Sequence, residues 1–148
     1  MKYKNIVVID NNLENIELFE NIIPRVDPEA RCVSFVYGDE ALDIINNQML
    51  VPPSHIFIDA SLKRTPISSC LNSFRNNKAL DSCCITVLSD TMPVAVAEVY
   101  CRMGADFAFA RPITISSGVD LLQCVLPARR HLTPADQVAE ARQQHINA

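Results

Sequence analysis

Four short apolar runs in this sequence each end at a polar residue, and that pattern restricts the chain to very few architectures. Ile6-Val7-Val8-Ile9 stops at Asp10, Ile56-Phe57-Ile58 at Asp59, Ile85-Thr86-Val87-Leu88 at Ser89, and Phe107-Ala108-Phe109-Ala110 at Arg111. Runs this short and this apolar read as strands buried on both faces, the habit of a parallel sheet covered by helices. A parallel sheet places all its strand C-termini on one edge. Two carboxylates, a hydroxyl and a guanidinium are therefore expected to converge there, where open α/β sheets have their binding crevice.

The segments between the runs supply the helices. Strand 1 (5–10) is followed by a helix over 12–24 with Ile16, Phe19 and Ile23 on one face. It starts behind Asn11 or Asn12, either a good cap, and Pro24 and Pro28 close it. Strand 2 (31–37) leads to Gly38 and a second helix with Ala41, Leu42 and Ile45 on its core side, and Pro52-Pro53 break the chain before strand 3 (55–59). Thr65-Pro66 reads as a cap and a first-turn proline opening a third helix to 77. Strand 4 (83–89), a fourth helix from Asp90-Thr91-Met92-Pro93 to Gly104, strand 5 (107–110) and a fifth helix over 116–126 complete a doubly wound series of βα units. Residues 127–148 stand apart. Thr133-Pro134 would cap an Ala/Gln-rich helix with a thin apolar face, so a docked accessory helix and a frayed tail are both open.

A chain of 148 residues, 49% hydrophobic and 20% charged, is expected to form one globular domain. Its net charge of −4 argues against non-specific nucleic-acid binding, which needs a basic face. No apolar stretch approaches the roughly 20 residues that cross a bilayer. The first strand begins directly after Met1-Lys2-Tyr3-Lys4, which argues against a signal peptide and for a cytoplasmic location. Cys32, Cys70, Cys83, Cys84, Cys101 and Cys124 form no C-x-x-C pair and have no nearby His. Reduced core thiols are the expectation.

Asp10-Asn11 after strand 1, Asp59 after strand 3, Ser89 after strand 4 and Arg111-Pro112 after strand 5 resemble, in that order, the receiver domain of two-component response regulators. Gly104-Ala105-Asp106 ahead of strand 5 adds to the resemblance, which spans residues 4–126. It implies a flavodoxin-like (βα)5 fold with strand order 2-1-3-4-5. Strands 1 and 3 would then be neighbours about 4.8 Å apart, with Asp10 facing Asp59 across one gap. The resemblance also implies phosphoryl transfer from a sensor histidine kinase or phosphotransfer protein to Asp59. Asp10, Asp59 and the backbone carbonyl of Ser61 would hold Mg²⁺, with Asn11 acting through a water. Ser89 would hydrogen-bond the phosphoryl group and Arg111 would pair with it. With no room for an output domain in residues 127–148, a stand-alone switch rather than an enzyme is expected. Its output would pass by protein contact to an unidentified partner, through a helix 4–strand 5–helix 5 surface that would also serve a homodimer.

Several departures from the family pattern fall at the site. Asn11 stands where the family has a second carboxylate, which removes one negative charge from a metal site. Arg111 stands where it has lysine, exchanging a compact ammonium for a planar fork. Ala108 replaces the usual aromatic residue three positions earlier. The loop Ala60-Ser61-Leu62-Lys63-Arg64-Thr65-Pro66-Ile67 lacks the usual proline position and glycine and is basic. These departures keep a second function open, a phosphorylation-independent pseudo-receiver adaptor. A flavodoxin-like FMN protein or small phosphatase would need small residues to cradle a phosphate after strand 1, where this chain has Asp10-Asn11-Asn12.

Simpler roles exist for each residue. Asp10, Asp59 and Ser89 could cap the segments that follow them, and Arg111 could neutralise Asp59 in place of a metal. His55 lies roughly 13 Å along strand 3 from Asp59, too far to share a metal, and is expected to be a structural residue at the strand start. His131 and His145 fall in the tail and carry no expected role. Lys63-Arg64 is expected to be a solvated loop, with a partner contact as the alternative.

Overall fold

Five apolar segments pair in parallel to make one sheet. They are β1 (Asn5–Ile9), β2 (Arg31–Phe35), β3 (His55–Asp59), β4 (Cys84–Ser89) and β5 (Phe107–Ala110), in the order β2-β1-β3-β4-β5. Among the described residues the helices are α1 (Leu13–Val26), α2 (Gly38–Asn47), α3 (Ile67–Asn76), α4 (Val94–Arg102) and α5 (Ile115–Val125), with a 3-10 turn at Lys78–Leu80. The computed structural model describes residues 4–49 and 51–128. The expected accessory helix or frayed tail lies for the most part outside the described residues. Among those described, no helix is long and apolar enough to cross a membrane.

The sheet is packed on both faces, as the apolar runs require. On one face Ile16, Phe19, Ile22 and Ile23 of α1 and Leu122 and Val125 of α5 close over Ile6, Val8 and Phe57. The Phe19 and Phe57 rings lie 5.0 Å apart, and burying an aromatic this completely contributes about 1.5–3 kcal/mol. On the other face Ala41 and Ile45 of α2 and Leu71 and Phe74 of α3 cover Val7, Ile9, Ile58 and Ile85. Every residue of β3 is buried. The edge strands differ. The residues of β5 are half-buried or exposed, contrary to the two-faced burial expected of Phe107–Ala110, because an edge strand has a neighbour on one side only. Beside it, α4 buries none of its residues and leaves Val94, Val96 and Val99 exposed.

Other boundaries also shift for identifiable reasons. Pro24 sits inside α1 instead of ending it, since it removes a single backbone donor near the C-terminus and the Asp27 N–H still reaches the Ile23 carbonyl at 2.9 Å. Pro66, with ψ 146°, is itself the N-cap of α3 rather than its first helical residue. Strand β2 stops at Phe35 because the next carbonyl, that of Val36, turns to a side-chain donor. Cys70, Cys83 and Cys84 are buried as expected and Cys32 is partly so, but Cys101 and Cys124 are exposed on α4 and α5. Burial pushes the thiols of Cys32 and Cys70 up to about 11 and that of Cys84 up to about 12, far from the reactive range.

Away from the strand C-termini, a buried ion pair ties the fold together. The Arg75 guanidinium donates to Asp106 Oδ2 at 2.8 Å and to the carbonyls of Gly104 and Cys83 at 2.7 and 3.0 Å. Asp106 Oδ2 also accepts from the Ile85 N–H at 2.8 Å. One side chain thus joins the end of α3, the start of β4 and the α4–β5 turn. Gly104 makes that turn at φ 121°, and a Cβ there would lie 2.7 Å from Arg75 Cγ.

Candidate active site at the strand C-termini

Ladder bonds that continue past the strand ends fix the backbone of the site. The Asp10 N–H donates to the Phe35 carbonyl at 3.1 Å, Ala60 to Leu88 at 2.9 Å and Arg111 to Ser89 at 2.7 Å. Asp59 ends β3, one residue beyond the Ile9–Ile58 pair, so it lies level with Asp10 on the neighbouring strand. The result is a cleft of about 650 Å³ lined by Asp10, Asn11, Asn15, Asp59, Ser61 and Arg111 among others.

Arg111 enters this cleft from β5, with its side chain 9% exposed. One arm, Nη2, donates to Asp59 Oδ1 at 2.5 Å. Nη1 lies 3.9 Å from Asp10 Oδ2, and Nε lies 3.7 Å from the exposed Asp90. Neither Nη1 nor Nε has a hydrogen-bond partner, although both are buried. The guanidinium therefore neutralises Asp59 directly while keeping two donors unused.

Asp10 combines two of its expected roles. Its Oδ1 accepts from the Asn12 N–H at 2.9 Å, a turn-capping bond, while Oδ2 accepts from Asn15 Nδ2 at 3.1 Å and faces Arg111. Burial raises its carboxyl above the usual carboxylate range, and the nearby Asp59 charge adds to the rise; the Asn12 N–H, Arg111 and Asn15 oppose it. Two carboxylates held this close leave a site short of positive charge, even with Arg111 between them.

Asn11 lines the cleft, but both ends of its amide are committed elsewhere. Nδ2 donates a short hydrogen bond to the Val36 carbonyl, and Oδ1 accepts from the Lys63 N–H at 2.7 Å. Ser89 ends β4 half-buried and is not among the residues lining the cleft. It does not cap α4 either, since that position belongs to Pro93. His55 is buried at the start of β3, with Nδ1 2.8 Å from Ser54 Oγ, as a structural residue would be. Arg64 is not a freely solvated loop residue. It donates to both carboxylate oxygens of Asp39 at 2.9 Å, and its guanidinium lies 3.6 Å over the Tyr37 ring.

The oxygen-rich lining bears on metal binding. Asp10, Asp59 and Ser61 face one cleft, and two carboxylates with a carbonyl suit a small hard cation completed by water. That donor set fits Mg²⁺ with fewer charges than a third carboxylate would bring. No cluster of three His, Cys, Asp or Glu side chains placed to hold a metal exists among the described residues. Three cleft residues have no site role in the sequence reading: Asn15, Lys63, which reads there as loop or partner contact, and Asp90, which reads as a helix start. Asp90 directly follows Ser89, so its place at the strand edge could have been read. Asn15, one helical turn into α1, gave no such sign.

No family model matches the sequence, and no curated protein does. Solved structures do match. The chain is similar to a chemotaxis response regulator of Vibrio cholerae at 14% identity, covering 84% of this chain and 99% of that one with a TM-score of 0.72. It is similar to a phosphorylated cyanobacterial phytochrome response regulator at 14% identity, covering 88% and 100% with a TM-score of 0.72. A CheY-like receiver domain from Methanospirillum hungatei aligns at 14% identity over 85% and 93% with a TM-score of 0.69. The chain has the fold of a response-regulator receiver domain. In the receiver fold the strand order 2-1-3-4-5 is the one expected from the sequence, and Asp59 stands on the central strand.

Proposed function

We propose that this protein is a receiver in two-component signalling that accepts a phosphoryl group on Asp59 from a histidine kinase or phosphotransfer protein. The supporting observation is the pairing in one cleft of two buried carboxylates from adjacent strands with a buried guanidinium that engages Asp59. An Asp59 carboxylate oxygen forms the new P–O bond as the P–N bond of the donor phosphohistidine breaks. The imidazole leaves with the electron pair and takes up a proton. Asp10, Asp59 and the Ser61 carbonyl would hold Mg²⁺, which when bound neutralises charge on the transferred phosphoryl group. Arg111, with Nη1 and Nε unused, turns from the Asp59 carboxylate to the phosphoryl oxygens. Ser89, which ends β4 outside the cleft lining, would have to turn toward the cleft to supply a hydroxyl. On this reading the protein is a cytoplasmic switch rather than an enzyme. The exposed valines of α4 offer an apolar surface for an output partner or a second copy of the chain.

Acetyl phosphate with Mg²⁺ is expected to add one phosphate to the wild-type protein and none to Asp59→Asn, read by intact mass. A wild-type mass unchanged with small phosphodonors and with kinase alike refutes the reading. One observation favours the pseudo-receiver adaptor instead. The Arg111–Asp59 contact already neutralises the acceptor without a metal. An adaptor of that kind binds its partner equally well after Asp59→Asn.

A further inference from the structure

The loop that leaves Asp59 is held at three separate points. Its first residue, Ala60, donates to the Leu88 carbonyl. In its middle, the Lys63 N–H donates to Asn11 Oδ1, and the other end of the same amide grips the Val36 carbonyl beyond β2. Next along the loop, Arg64 adopts φ 72°, and the Thr65 N–H bonds back to the Lys63 carbonyl at 2.9 Å. This is a strained γ-turn, which persists only where surrounding contacts enforce it. The enforcing contacts are visible. Arg64 Nη2 donates to both oxygens of Asp39, its guanidinium carbon lies over the Tyr37 ring, and Glu40 lies 3.8 Å away. Arg64 also holds the Asp39 carboxyl below the usual carboxylate range. Gly38 lets the loop lie flat against the start of α2, since a Cβ there would meet Cys70 Sγ at 3.0 Å, Leu62 Cδ1 at 3.3 Å and Thr65 Cβ at 3.4 Å.

The geometry points to Asn11 and Arg64 as positioning residues that clasp the β3–α3 loop against the end of β2 and thereby fix Ser61 at the cleft. The metal-holding part of this inference rests on the proposed receiver function; the clasp itself does not. Asn11 has an amide for a reason that charge alone does not supply. A carboxylate could accept from Lys63 but could not donate to the Val36 carbonyl. Asn11 thus acts on the site through the loop and not as a ligand through water. Arg64, half exposed and absent from the cleft lining, acts on Ser61 from the far side of the turn.

The test uses the full chain with Arg64→Ala and Arg64→Lys, reading amide exchange in the loop, Mg²⁺ titration by amide shifts and the urea midpoint. Arg64→Ala is expected to speed exchange of the Lys63 and Thr65 amides by about tenfold and to weaken Mg²⁺ binding several-fold, with the urea midpoint held. Arg64→Lys should recover part of the loss, since an ammonium keeps the charge beside Asp39 but not the planar guanidinium over Tyr37. Unchanged loop exchange overturns the clasp. Faster exchange with unchanged Mg²⁺ affinity overturns the positioning role. If wild-type shifts ignore Mg²⁺, the metal reading of the cleft and the positioning role fall together, and exchange alone then decides the clasp. Asn11→Asp gives an independent check. It keeps an acceptor for the Lys63 N–H but loses the Val36 anchor, so exchange of the Lys63 amide should rise, and unchanged or slower exchange would contradict the clasp.

Discussion

Replacing Arg111 with alanine tests the electrostatics of the cleft most directly. The substitution leaves Asp10 and Asp59, 5% and 8% exposed, facing each other without their buried counter-charge. A unit-charge pair about 4 Å apart near a protein surface is worth about 4 kcal/mol. Removing one partner of a buried pair generally costs about 3–5 kcal/mol. The cleft admits water, so the lower end applies, and a loss of about 3 kcal/mol lowers the unfolding midpoint by about 6–12 °C. Thermal and urea unfolding in metal-free buffer measure this. Two recoveries should follow. Asp10→Asn in the Arg111→Ala background removes the carboxylate that burial already disfavours and should restore part of the loss. Mg²⁺ at ten times its dissociation constant should restore about 1.4 kcal/mol, by binding only the folded state. A midpoint in Arg111→Ala within a degree of wild type, with or without metal, refutes the charge-compensation argument and the Asp59–Arg111 contact behind it.

Three further outcomes are expected elsewhere. Arg75→Ala strands the buried Asp106 and should cost about 3–5 kcal/mol by urea unfolding, whereas a surface-like loss well below one would contradict the staple role. Gly118→Ala places a Cβ 2.6 Å from Ile22 Cδ1 and should destabilise by about 1–3 kcal/mol, with Ile22→Val in the same chain relieving most of it. Burial holds the His55 imidazole below its ordinary 6.5, with Lys4 adding to the effect and Asp27 opposing it. The unfolded chain therefore binds more protons between those two values, and stability should fall as pH drops through 6.5. Urea midpoints on either side of that pH should lose this component in His55→Gln; an identical pH slope would be contrary to it.

The scaffold was legible because its signals are local and redundant. Ile6 to Ile9, Ile56 to Ile58 and Ile85 to Leu88 read as buried strands, and their polar stops place Asp10, Asp59 and Ser89 on one edge. Less was legible where a residue's role depends on a distant partner. Asn11 read as a weakened ligand because its bonds to Val36 and Lys63 cross 25 and 52 residues of sequence. Arg64 read as solvated because nothing local announces a contact over Tyr37 or hydrogen bonds to Asp39. Burial of Phe107–Ala110 was overread because its apolar run resembles those of the central strands, although the implied strand order already placed it at the sheet edge.

That edge has a mechanical meaning. With no residue of α4 buried and β5 at best half covered, this corner has the least apolar area to lose on opening, so it should open at lower free energy than β1, β3 and β4. Arg111 follows β5 immediately, so its grip on Asp59 fastens the loosest margin of the sheet to the most rigid strand. Any change in the charge on Asp59 then alters the tension in that fastening. On the proposed receiver reading, phosphorylation of Asp59 would make this weakly held corner a lever arm, moved by a few atoms at the centre and open to a partner on the outside of α4.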